Sequence, residues 1–307
     1  MFLLYNKFMN IQIFIATYNR AHFLKQSIES FLNQTIPPDE IIILDNNSTD
    51  NTEQVVAQYP KCRYVKTHGF LGNFNKAREL VNKDYLMIFH DDDVLNPYYL
   101  EFALGLIKKH NPSMITTRYT KFTDKPIINN INKKYYLFDT QKELARYMIG
   151  VEGVSYCSAI YDTKAFLSEE LEYSKYGKFN DWSFMCKMGA HGKTIITRDE
   201  NMNYTRIHPG QDTRNIKTSV TGEQIINWDK FFYNILKNDI LTSKSYHFLK
   251  SKYDLFTTPQ FKRLNSFASI RDKFLKECPL VNRNYDKQLL ELMAINIAED
   301  NLYDYSL

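Results

Sequence analysis

Asp91, Asp92 and Asp93 are three consecutive carboxylates that follow closely on the apolar run of residues 85–89. Adjacent carboxylates repel one another unless a cation or hydrogen-bond donors neutralise them. Side chains alternate along a strand, so Asp91 and Asp93 are expected to face one side and Asp92 the other. Two carboxylates on one side, with room for phosphate oxygens and water, suit Mg²⁺ or Mn²⁺. The alternative is an exposed acidic turn before a helix at Pro97, with Asp93 as its cap.

The elements around this triplet alternate between strand and helix. The strands are predicted at residues 11–16, 40–48, 62–67 and 84–89, and the helices at residues 22–34, 49–59 and 73–82. Units of this length form right-handed crossovers and a largely parallel sheet, in which ligands bind beyond the carboxyl ends of the strands. The polar clusters ATYNR, DNNSTD and HDDD all fall at such ends. The sequence therefore predicts a ligand site at this edge of the sheet.

The pattern is less regular downstream. Residues 124–140 predict a long loop, and strand character returns around residues 155–161 and 193–198. Beyond about residue 218 the pattern becomes helical, because apolar side chains recur on one helical face. Those side chains are Ile225, Trp228, Phe232 and Ile235. The sequence therefore predicts an α/β fold followed by a mainly helical extension.

Composition excludes several classes of protein. The chain has 307 residues, of which 44% are hydrophobic and 15% aromatic, so a sizeable core is expected rather than disorder. A net charge of +4 is too small to indicate a nucleic-acid partner. No apolar stretch is long enough for a membrane-spanning helix, and residues 5–7 interrupt the start of any signal-peptide core. The four cysteines lie far apart without a CxxC pair, which favours a reduced, cytoplasmic protein.

Four segments, in order and in spacing, resemble the family 2 glycosyltransferases of the GT-A fold. They are IFIATYNRAHFLKQSIESFLNQT, EIIILDNNSTDNT, GFLGNFNKAREL and YLMIFHDDDVLNPYYLE. The resemblance is dense over residues 11–102, thinner to about residue 214 and absent from about residue 220. It implies a Rossmann-like, mostly parallel sheet flanked by helices in a catalytic domain of residues 1–218. The nucleotide-binding half would cover about 11–102 and the acceptor half about 103–218, before an extension of residues 219–307.

The same resemblance implies a sugar-nucleotide donor, usually linked to uridine diphosphate (UDP). Thr17, Tyr18 and Arg20 match the first-strand loop that lies against the base and ribose. Asp45 matches the acidic residue that hydrogen-bonds the base, usually uracil. Further donor-site residues implied by the resemblance are Asn73, Asn75, Asp91 and Asp92, with Arg78 as a weaker candidate for phosphate. The alternatives are that Tyr18 only packs, and that Asn47, Ser48 and Asp50 are turn and cap residues.

The resemblance also implies a divalent cation, Mn²⁺ or Mg²⁺, bound by the DxD residues Asp91 and Asp93. The cation offsets the negative charge that accumulates on the departing nucleoside diphosphate. His208 occupies a place where related enzymes bring a histidine to the metal or the diphosphate, although a lone histidine is as often structural. Arg206 is a further candidate for phosphate. His90, next to the triplet, is expected only to pack against the strand end.

Asp181 aligns with the catalytic base of inverting family members, and Asn180 replaces their more usual glutamate. The acceptor hydroxyl needs such a base because it holds its proton too tightly at neutral pH. The alternative for Asp181 is a helix N-cap. Tyr156, Cys157 and Ser158 lie in a segment that resembles the acceptor-facing strand of the family.

Residues 244–276 carry eight basic and two acidic side chains with interleaved aromatic residues. Such a segment can hold a protein at an anionic membrane surface, here the cytoplasmic face of the inner membrane. The alternative is a solvated helical face that packs on the catalytic domain.

The leading hypothesis is an inverting, metal-dependent glycosyltransferase that extends a bacterial surface polysaccharide, lipooligosaccharide or similar glycan- or lipid-linked acceptor. A nucleotidyltransferase acting on sugar phosphates is the second hypothesis, but the first-strand loop ATYNRAHFL is not a glycine-rich phosphate loop. The third is an inactive nucleotide-sugar-binding protein. Retention of Asp91, Asp93 and Asp181 together argues against that third hypothesis.

Overall fold

The computed structural model describes residues 10–69, 71–150, 154–211, 221–236 and 302–304. The strands are β1 (Ile11–Thr17), β2 (Glu40–Asp45), β3 (Cys62–Lys66), β4 (Tyr85–His90), β5 (Val94–Leu95), β6 (Met114–Thr117), β7 (Thr120–Phe122), β8 (Lys134–Phe138), β9 (Ile160–Asp162), β10 (Thr194–Thr197), β11 (Asn203–Arg206) and β12 (Leu302–Asp304). The helices are α1 (Ala21–Leu32), α2 (Thr52–Val56), α3 (Gly72–Leu80), α4 (Tyr99–His110), α5 (Gln141–Gly150), α6 (Thr163–Ser168), α7 (Tyr173–Tyr176), α8 (Asn180–Met188) and α9 (Gly222–Leu236).

Strand β1 lies inside a nine-stranded sheet with the order β12-β8-β10-β6-β9-β4-β1-β2-β3. It pairs in parallel with β2 and with β4, and the register sets Thr17 beside Asp45 and Ala16 beside His90. The carboxyl ends of these three strands are therefore level. The loops that follow them meet at one edge of the sheet, as the sequence predicts for a ligand site.

The central strands of this sheet are buried because they are apolar on both faces. Ile13 and Ile15 join one core cluster, whereas Phe14 joins the cluster on the opposite face. Helices cover both faces, so alternating side chains are all buried, as in other parallel sheets. On one face Phe31 of α1 meets Phe89 of β4 edge-to-face, with ring centroids 4.9 Å apart.

The α/β class is confirmed, while parallel pairing is limited to part of the sheet. Strands β1 to β4 and the pair β6–β10 are parallel. Strand β9 is antiparallel to both β4 and β6, and β8 is antiparallel to β10. Strands β5, β11 and β7 form a separate small sheet, and β5 begins directly after the carboxylate triplet. The acceptor half is therefore mixed rather than largely parallel.

The prediction of one long loop over residues 124–140 is wrong for its last part, because residues 134–138 form β8. Tyr135 and Leu137 pack into one core cluster, and Tyr136 and Phe138 into the other. This strand is buried on both faces, so it lacks the polar–apolar alternation of a half-exposed strand. Adjacent lysines and asparagines also masked the short apolar run.

The described part of the extension packs on the acceptor half. Trp228 of α9 is buried, with its ring centroid 5.5 Å from Phe179 and 6.4 Å from Trp182. Strand β12 adds to the edge of the main sheet beside β8, so the extension is not helical throughout. The division at residue 218 remains a prediction, and the basic segment 244–276 lies outside the described residues. Across the described helices, none combines the length and apolar character needed to cross a bilayer.

Candidate active site

The three carboxylates diverge instead of alternating along a strand. Strand β4 ends at His90, and Asp91 and Asp92 lie in the turn that follows. Both accept hydrogen bonds from Nη1 of Arg20, each at 3.2 Å. Asp93 faces other partners. The expected alternation, with Asp91 and Asp93 on one side, is therefore wrong because the extended backbone stops one residue before the triplet.

Asp91 is buried and held by the loop after β1. Its Oδ2 accepts the hydroxyl of Thr17 at 2.7 Å, and its Oδ1 accepts Arg20. Burial raises the pKa of Asp91, although the charge of Arg20 acts in the opposite direction. Thr17 and Arg20 thus lie against the acidic turn, and their role in donor binding remains a prediction.

Asp92 is the carboxylate that contacts His208, with Oδ2 and Nε2 2.9 Å apart. This is an ordinary hydrogen-bond distance, which is close to the separation of about 2.9 Å between adjacent ligands of an octahedral ion, so a neutral imidazole and this carboxylate could bind one ion once their hydrogen bond opens. Burial acts to raise the pKa of Asp92, but His90 and His208 outweigh it and lower that pKa. A low pKa keeps the carboxylate ionised, as a cation ligand must be. The residues therefore fit a divalent cation.

Asp93 belongs to a different group of side chains. Its Oδ2 accepts the thiol of Cys157 at 2.9 Å, and its Oδ1 accepts the backbone N–H of Arg206 at 3.0 Å. Burial raises the pKa of Asp93 to about 6, and the charge of Asp92 adds to this shift. In the part of the chain that the structure describes, one set of three metal-ligating side chains has ligand atoms within 4.8 Å of one another: His90, Asp93 and Cys157.

The predicted metal ligands are therefore distributed over two places. Asp93 lies in the set just described, whereas His208 lies on Asp92, and Asp91 is held by Thr17. His90, expected only to pack, is an exposed side chain beside two of the three carboxylates. Asp92 is thus the carboxylate that contacts His208. The strand alternation had instead predicted that Asp92 points to the side opposite Asp91 and Asp93.

Asp93 makes protein stability depend on pH. Its pKa of about 6 in the folded protein lies above the ordinary value of 3.8, so the fold favours the protonated form. The contribution is fully present below about pH 4 and is lost as the pH rises through about 6. We expect the free energy of unfolding to lose about 2–3 kcal/mol over this window because of Asp93. Urea titrations at half-unit pH steps measure it.

The matched variant for this prediction is Asp93→Asn, which cannot ionise. The free energy of unfolding of this variant minus that of the wild type should increase by about 2–3 kcal/mol from pH 4 to pH 7. Any pH-independent effect of the substitution does not alter this increase. Parallel stability curves for the two proteins across this window would contradict the raised pKa.

Asp181 is the second residue of α8, not its N-cap. The N-cap is Phe179, and Oδ1 of Asp181 accepts the N–H of the next residue, Trp182, at 2.8 Å. Burial raises the pKa of Asp181 to about 6, against the opposing effects of that N–H and of His90. A carboxylate with this pKa is ionised at neutral pH and accepts a proton more readily than an ordinary aspartate.

Asp181 and the carboxylate turn face a common region. His90 interacts electrostatically with Asp181 as well as with Asp92 and Asp93. After burial, the charge of Asp181 is the next cause that raises the pKa of Tyr156. Of the predicted acceptor-wall residues, Tyr156 is half-buried, whereas Cys157 and Ser158 are buried. Only Tyr156 among these three is therefore placed to meet a ligand from solvent.

The predicted base-binding residues lie at the ends of β1 and β2. Tyr18 is 56% exposed, so it is available as a stacking platform. Asp45 is buried, with Oδ1 accepting the N–H of Ser48 at 2.9 Å and Oδ2 accepting the hydroxyl of Tyr64 at 2.5 Å. Oδ1 also accepts the hydroxyl of Ser48 at 2.5 Å, so three of the about four acceptor positions of a carboxylate are occupied and one is left for a further donor. Tyr64 lies on β3, and no local sequence signal connects it to Asp45.

The loops around this region are tied together by the residues considered as turn and cap residues. Asn19 adopts the left-handed conformation with φ of 52°, which asparagine tolerates, and its N–H donates to Ser48 at 2.8 Å. Asp50 accepts the N–H of Ala21 at 3.0 Å at the start of α1, and that of Thr52 at 3.1 Å. These contacts agree with the structural alternative for Ser48 and Asp50, which remains a prediction.

The asparagines at the start of α3 make few contacts with the other predicted site residues. Oδ1 of Asn73 accepts the hydroxyl of Thr67 at 2.5 Å, and Asn75 is exposed. Arg78 points elsewhere, because its guanidinium donates to the carbonyls at the end of α6. These carbonyls belong to Phe166, Leu167 and Glu169. The suggestion that Arg78 reaches phosphate is therefore wrong.

The guanidinium of Arg206 also donates its hydrogen bonds to backbone carbonyls of the protein. It is buried, and its guanidinium donates to the carbonyls of Asp92 at 2.9 Å, Thr123 at 2.8 Å and Asp124 at 3.0 Å. It also stacks over Phe23, 4.5 Å from the ring centroid. The suggestion that Arg206 binds phosphate is wrong, because its donors hold the acidic turn to the neighbouring loops.

Comparison with known proteins agrees with this architecture. The chain is 32% identical to chondroitin synthase of Escherichia coli over 105 residues, which cover 32% of this chain and 15% of that protein. It is 26% identical to the E. coli UDP-Glc:alpha-D-GlcNAc-diphosphoundecaprenol beta-1,3-glucosyltransferase WfgD over 125 residues, 38% of this chain and 49% of that protein. The chain thus spans less than half the length of either relative.

Among solved structures, residues 1–349 of S. aureus TarS in complex with UDP-GlcNAc superpose with a TM-score of 0.60. The sequence identity is 17%, and the alignment covers 95% of this chain and 89% of that one, so the likeness shows the GT-A fold. The profile of the family Glycosyl transferase family 2 matches residues 12–167. These residues make up half of the chain and include β1 to β9 with the acidic turn, and the chain therefore belongs to glycosyl transferase family 2.

Proposed function

We propose that this protein is an inverting, metal-dependent glycosyltransferase that moves a sugar from a UDP-linked donor to an acceptor hydroxyl. The observation that carries this proposal is the meeting of two kinds of carboxylate at one region. Asp92 has a lowered pKa and lies against His208, whereas Asp181 has a pKa raised to about 6. Carboxylates with pKa values shifted in opposite directions support two different tasks.

The donor is expected to bind at the ends of β1 and β2. Tyr18 is exposed there and can stack on the base, and Asp45 can accept a ring N–H of uracil beside Tyr64. Asn73 and Asn75 at the start of α3 complete the proposed nucleotide site. The solved TarS structure with UDP-GlcNAc supports a nucleotide-sugar donor for this fold.

Asp92 and His208 would hold the divalent cation, and a carboxylate–imidazole pair suits Mn²⁺ better than Mg²⁺. When bound, the cation offsets the negative charge that builds on the departing diphosphate. Arg20 now contacts both Asp91 and Asp92, so its guanidinium lies next to the same phosphate region. The family resemblance implies instead that Asp91 and Asp93 ligate the cation with His208, and Mn²⁺ binding to Asp92→Asn and Asp93→Asn distinguishes the two ligand sets.

Asp181 would accept the proton of the acceptor hydroxyl while that oxygen attacks the anomeric carbon. A single displacement inverts this carbon, so an α-linked donor gives a β-linked product. Tyr156 would lie on the acceptor side, beside Asp181. The acceptor is proposed to be a glycan or a lipid-linked saccharide, in line with the printed activity of WfgD. Cytoplasmic localisation, with contact at the membrane surface, remains part of the proposal.

UDP should bind more tightly than cytidine or guanosine diphosphate. Asp45 accepts the ring N–H of uracil, which cytosine lacks at that position and guanine presents in a larger frame. A hydrogen bond to a charged group contributes about 1.5–3 kcal/mol, so a preference of roughly 10- to 150-fold over cytidine diphosphate is expected in calorimetry. As a control, Tyr18→Ala should weaken all three nucleotides alike, because stacking is indifferent to the base. Equal affinities in the wild type would remove Asp45 from this role.

The overall proposal is tested by product analysis with a panel of nucleotide sugars. Release of UDP that needs both an acceptor and Mn²⁺ supports a glycosyltransferase. A nucleotidyltransferase would instead consume a nucleoside triphosphate and a sugar phosphate and release pyrophosphate. A binding protein would show donor affinity in calorimetry without release of either product. Each of the last two outcomes would overturn the proposal.

A further inference from the structure

The segment that carries Asp181 consists of three short elements: helix α7, the 3₁₀ turn Gly177–Phe179 and helix α8. Helix α7 has four residues and α8 has nine. Isolated helices of such lengths are marginal in water, so packing against other elements must fix the segment. The match to the family profile ends at residue 167, before this segment, and so it does not include the contacts that hold Asp181.

Helix α9 packs an apolar face against this segment. Trp228 and Phe232 lie one turn apart on α9, and both are buried. The ring centroid of Trp228 lies 5.5 Å from that of Phe179 and 6.4 Å from that of Trp182. These two partners stand two residues before and one residue after Asp181. A single side chain of α9 therefore contacts the chain on both sides of the proposed base.

Trp182 connects α9 to the carboxylate itself. Its backbone N–H donates to Oδ1 of Asp181 at 2.8 Å, while its indole ring packs beside Trp228. Phe184, further along α8, meets the ring of Tyr161 on β9 edge-to-face, with centroids 5.6 Å apart. The first turns of α8 are therefore held between α9 on one side and the main sheet on the other.

Gln224 joins the first turn of α9 to α7. Its backbone N–H donates to the hydroxyl of Thr221 at 3.2 Å, and its Oε1 accepts the N–H of Thr221 at 3.0 Å, so the two residues form a capping box. Nε2 of the same side chain donates to the carbonyl of Ser174 at 3.4 Å, and Nδ2 of Asn227 donates to that of Lys175 at 3.2 Å. These bonds fix where α9 lies along α7.

Gly177 allows α9 to approach this closely. Its backbone has a φ of 56°, which glycine adopts without strain. A Cβ at this position would collide with the side-chain amide of Gln224. The close contact between α9 and the segment is thus specified by residues of both.

We propose that α9 positions Asp181 for proton transfer, with Trp228 and Gln224 as its positioning residues. This inference rests on the proposed function, in which Asp181 is the general base. Trp228 acts through Phe179 and Trp182, which flank that base. A misplacement of about 1 Å costs about 100-fold in rate, so packing that fixes the start of α8 contributes to kcat.

The first test separates kcat from donor binding. Trp228→Ala should lower kcat by roughly 10- to 100-fold. UDP affinity in calorimetry should be unchanged, because the nucleotide site lies on β1 and β2. Trp228→Phe keeps an aromatic ring and should recover most of the kcat, and Gln224→Ala should cause a smaller loss than Trp228→Ala. The matched control is Leu106→Ala, which removes a buried side chain of α4 from the core on the opposite face of the sheet. It should lower the melting temperature and leave kcat normal.

The second test examines Asp181 without turnover. Carbon-13 nuclear magnetic resonance of aspartate-labelled protein follows each carboxyl group as the pH is changed, and the signal missing from Asp181→Asn identifies Asp181. Burial raises the pKa of this carboxyl to about 6, and His90, Tyr156 and Tyr161 are titratable groups that interact with it. In Trp228→Ala the pKa should fall toward the ordinary 3.8, because water reaches the carboxylate. The α4 control should leave it unchanged.

Unchanged kcat in Trp228→Ala would overturn the positioning role, as would an unchanged pKa of Asp181 in that variant. An equal loss of kcat in Leu106→Ala would also overturn it, because the effect would then follow stability alone. If Trp228→Ala does not unfold cooperatively, Gln224→Ala carries both measurements, and wild-type values there would overturn the role. Normal turnover in Asp181→Asn would instead contradict the proposed function, and the carboxyl titration would still decide whether α9 fixes Asp181.

Discussion

Asp181→Asn should lower kcat by roughly 10²–10⁴-fold, the usual contribution of a general base. The amide keeps the size and hydrogen-bonding shape of the carboxylate but cannot accept the hydroxyl proton. The wild-type kcat/KM should also rise through about pH 6, because Asp181 must be ionised to act and its pKa is raised to about that value. Steady-state kinetics over pH 5–8 measure both effects. Donor affinity should remain unchanged, because the nucleotide site lies on other strands.

The control is Asp162→Ala, which removes a true helix cap. Asp162 accepts the N–H of Ala165 at 2.9 Å as the N-cap of α6, so its loss should cost about 1 kcal/mol of stability and leave turnover normal. If Asp181→Asn behaved in the same way, Asp181 would be a structural residue. Nuclear magnetic resonance of the product gives a second check. A product that retains the anomeric configuration of the donor would eliminate Asp181 as the base of a single displacement.

Asp92→Asn should abolish most of the Mn²⁺-dependent activity. The structure sets Asp92 2.9 Å from His208, and the cation contributes several kcal/mol of charge stabilisation in the transition state. A fall in kcat of roughly 10²–10³-fold is expected, similar to the loss of one preorganised electrostatic partner. Mn²⁺ affinity, measured by electron paramagnetic resonance without substrate, should fall in Asp92→Asn and in His208→Ala.

The comparison variant is Asp93→Asn, since the DxD resemblance implies that Asp93 ligates the cation. Both substitutions remove one negative charge from the same turn, so a general electrostatic effect would weaken Mn²⁺ binding equally. If only Asp92→Asn loses Mn²⁺, the pair Asp92–His208 holds the cation. If only Asp93→Asn loses it, the ligand set implied by the resemblance is right and the assignment to Asp92 is wrong.

The nucleotide-binding half was largely predictable from its local pattern. Residues 11–16 are apolar throughout, and this pattern is enough to define β1 because a parallel strand is buried on both faces. The helix after it was predictable because Leu24, Ile28 and Phe31 recur at the spacing of one helical face. At β8 the apolar run is short and lies among lysines and asparagines, and there the prediction of a loop was wrong.

The sequence by itself determined that the polar residues after β1, β2 and β4 meet at one edge of the sheet, because these strands are parallel and their carboxyl ends lie together. It also determined the family, since the motifs of residues 11–102 are local. The tertiary structure alone decided the partners of each carboxylate: Asp91 with Thr17, Asp92 with His208, and Asp93 with Cys157. These pairs join residues more than sixty positions apart, and the turn after His90 rotates each side chain independently. Spacing along the chain carries no information about such rotations, because they result from packing between distant segments.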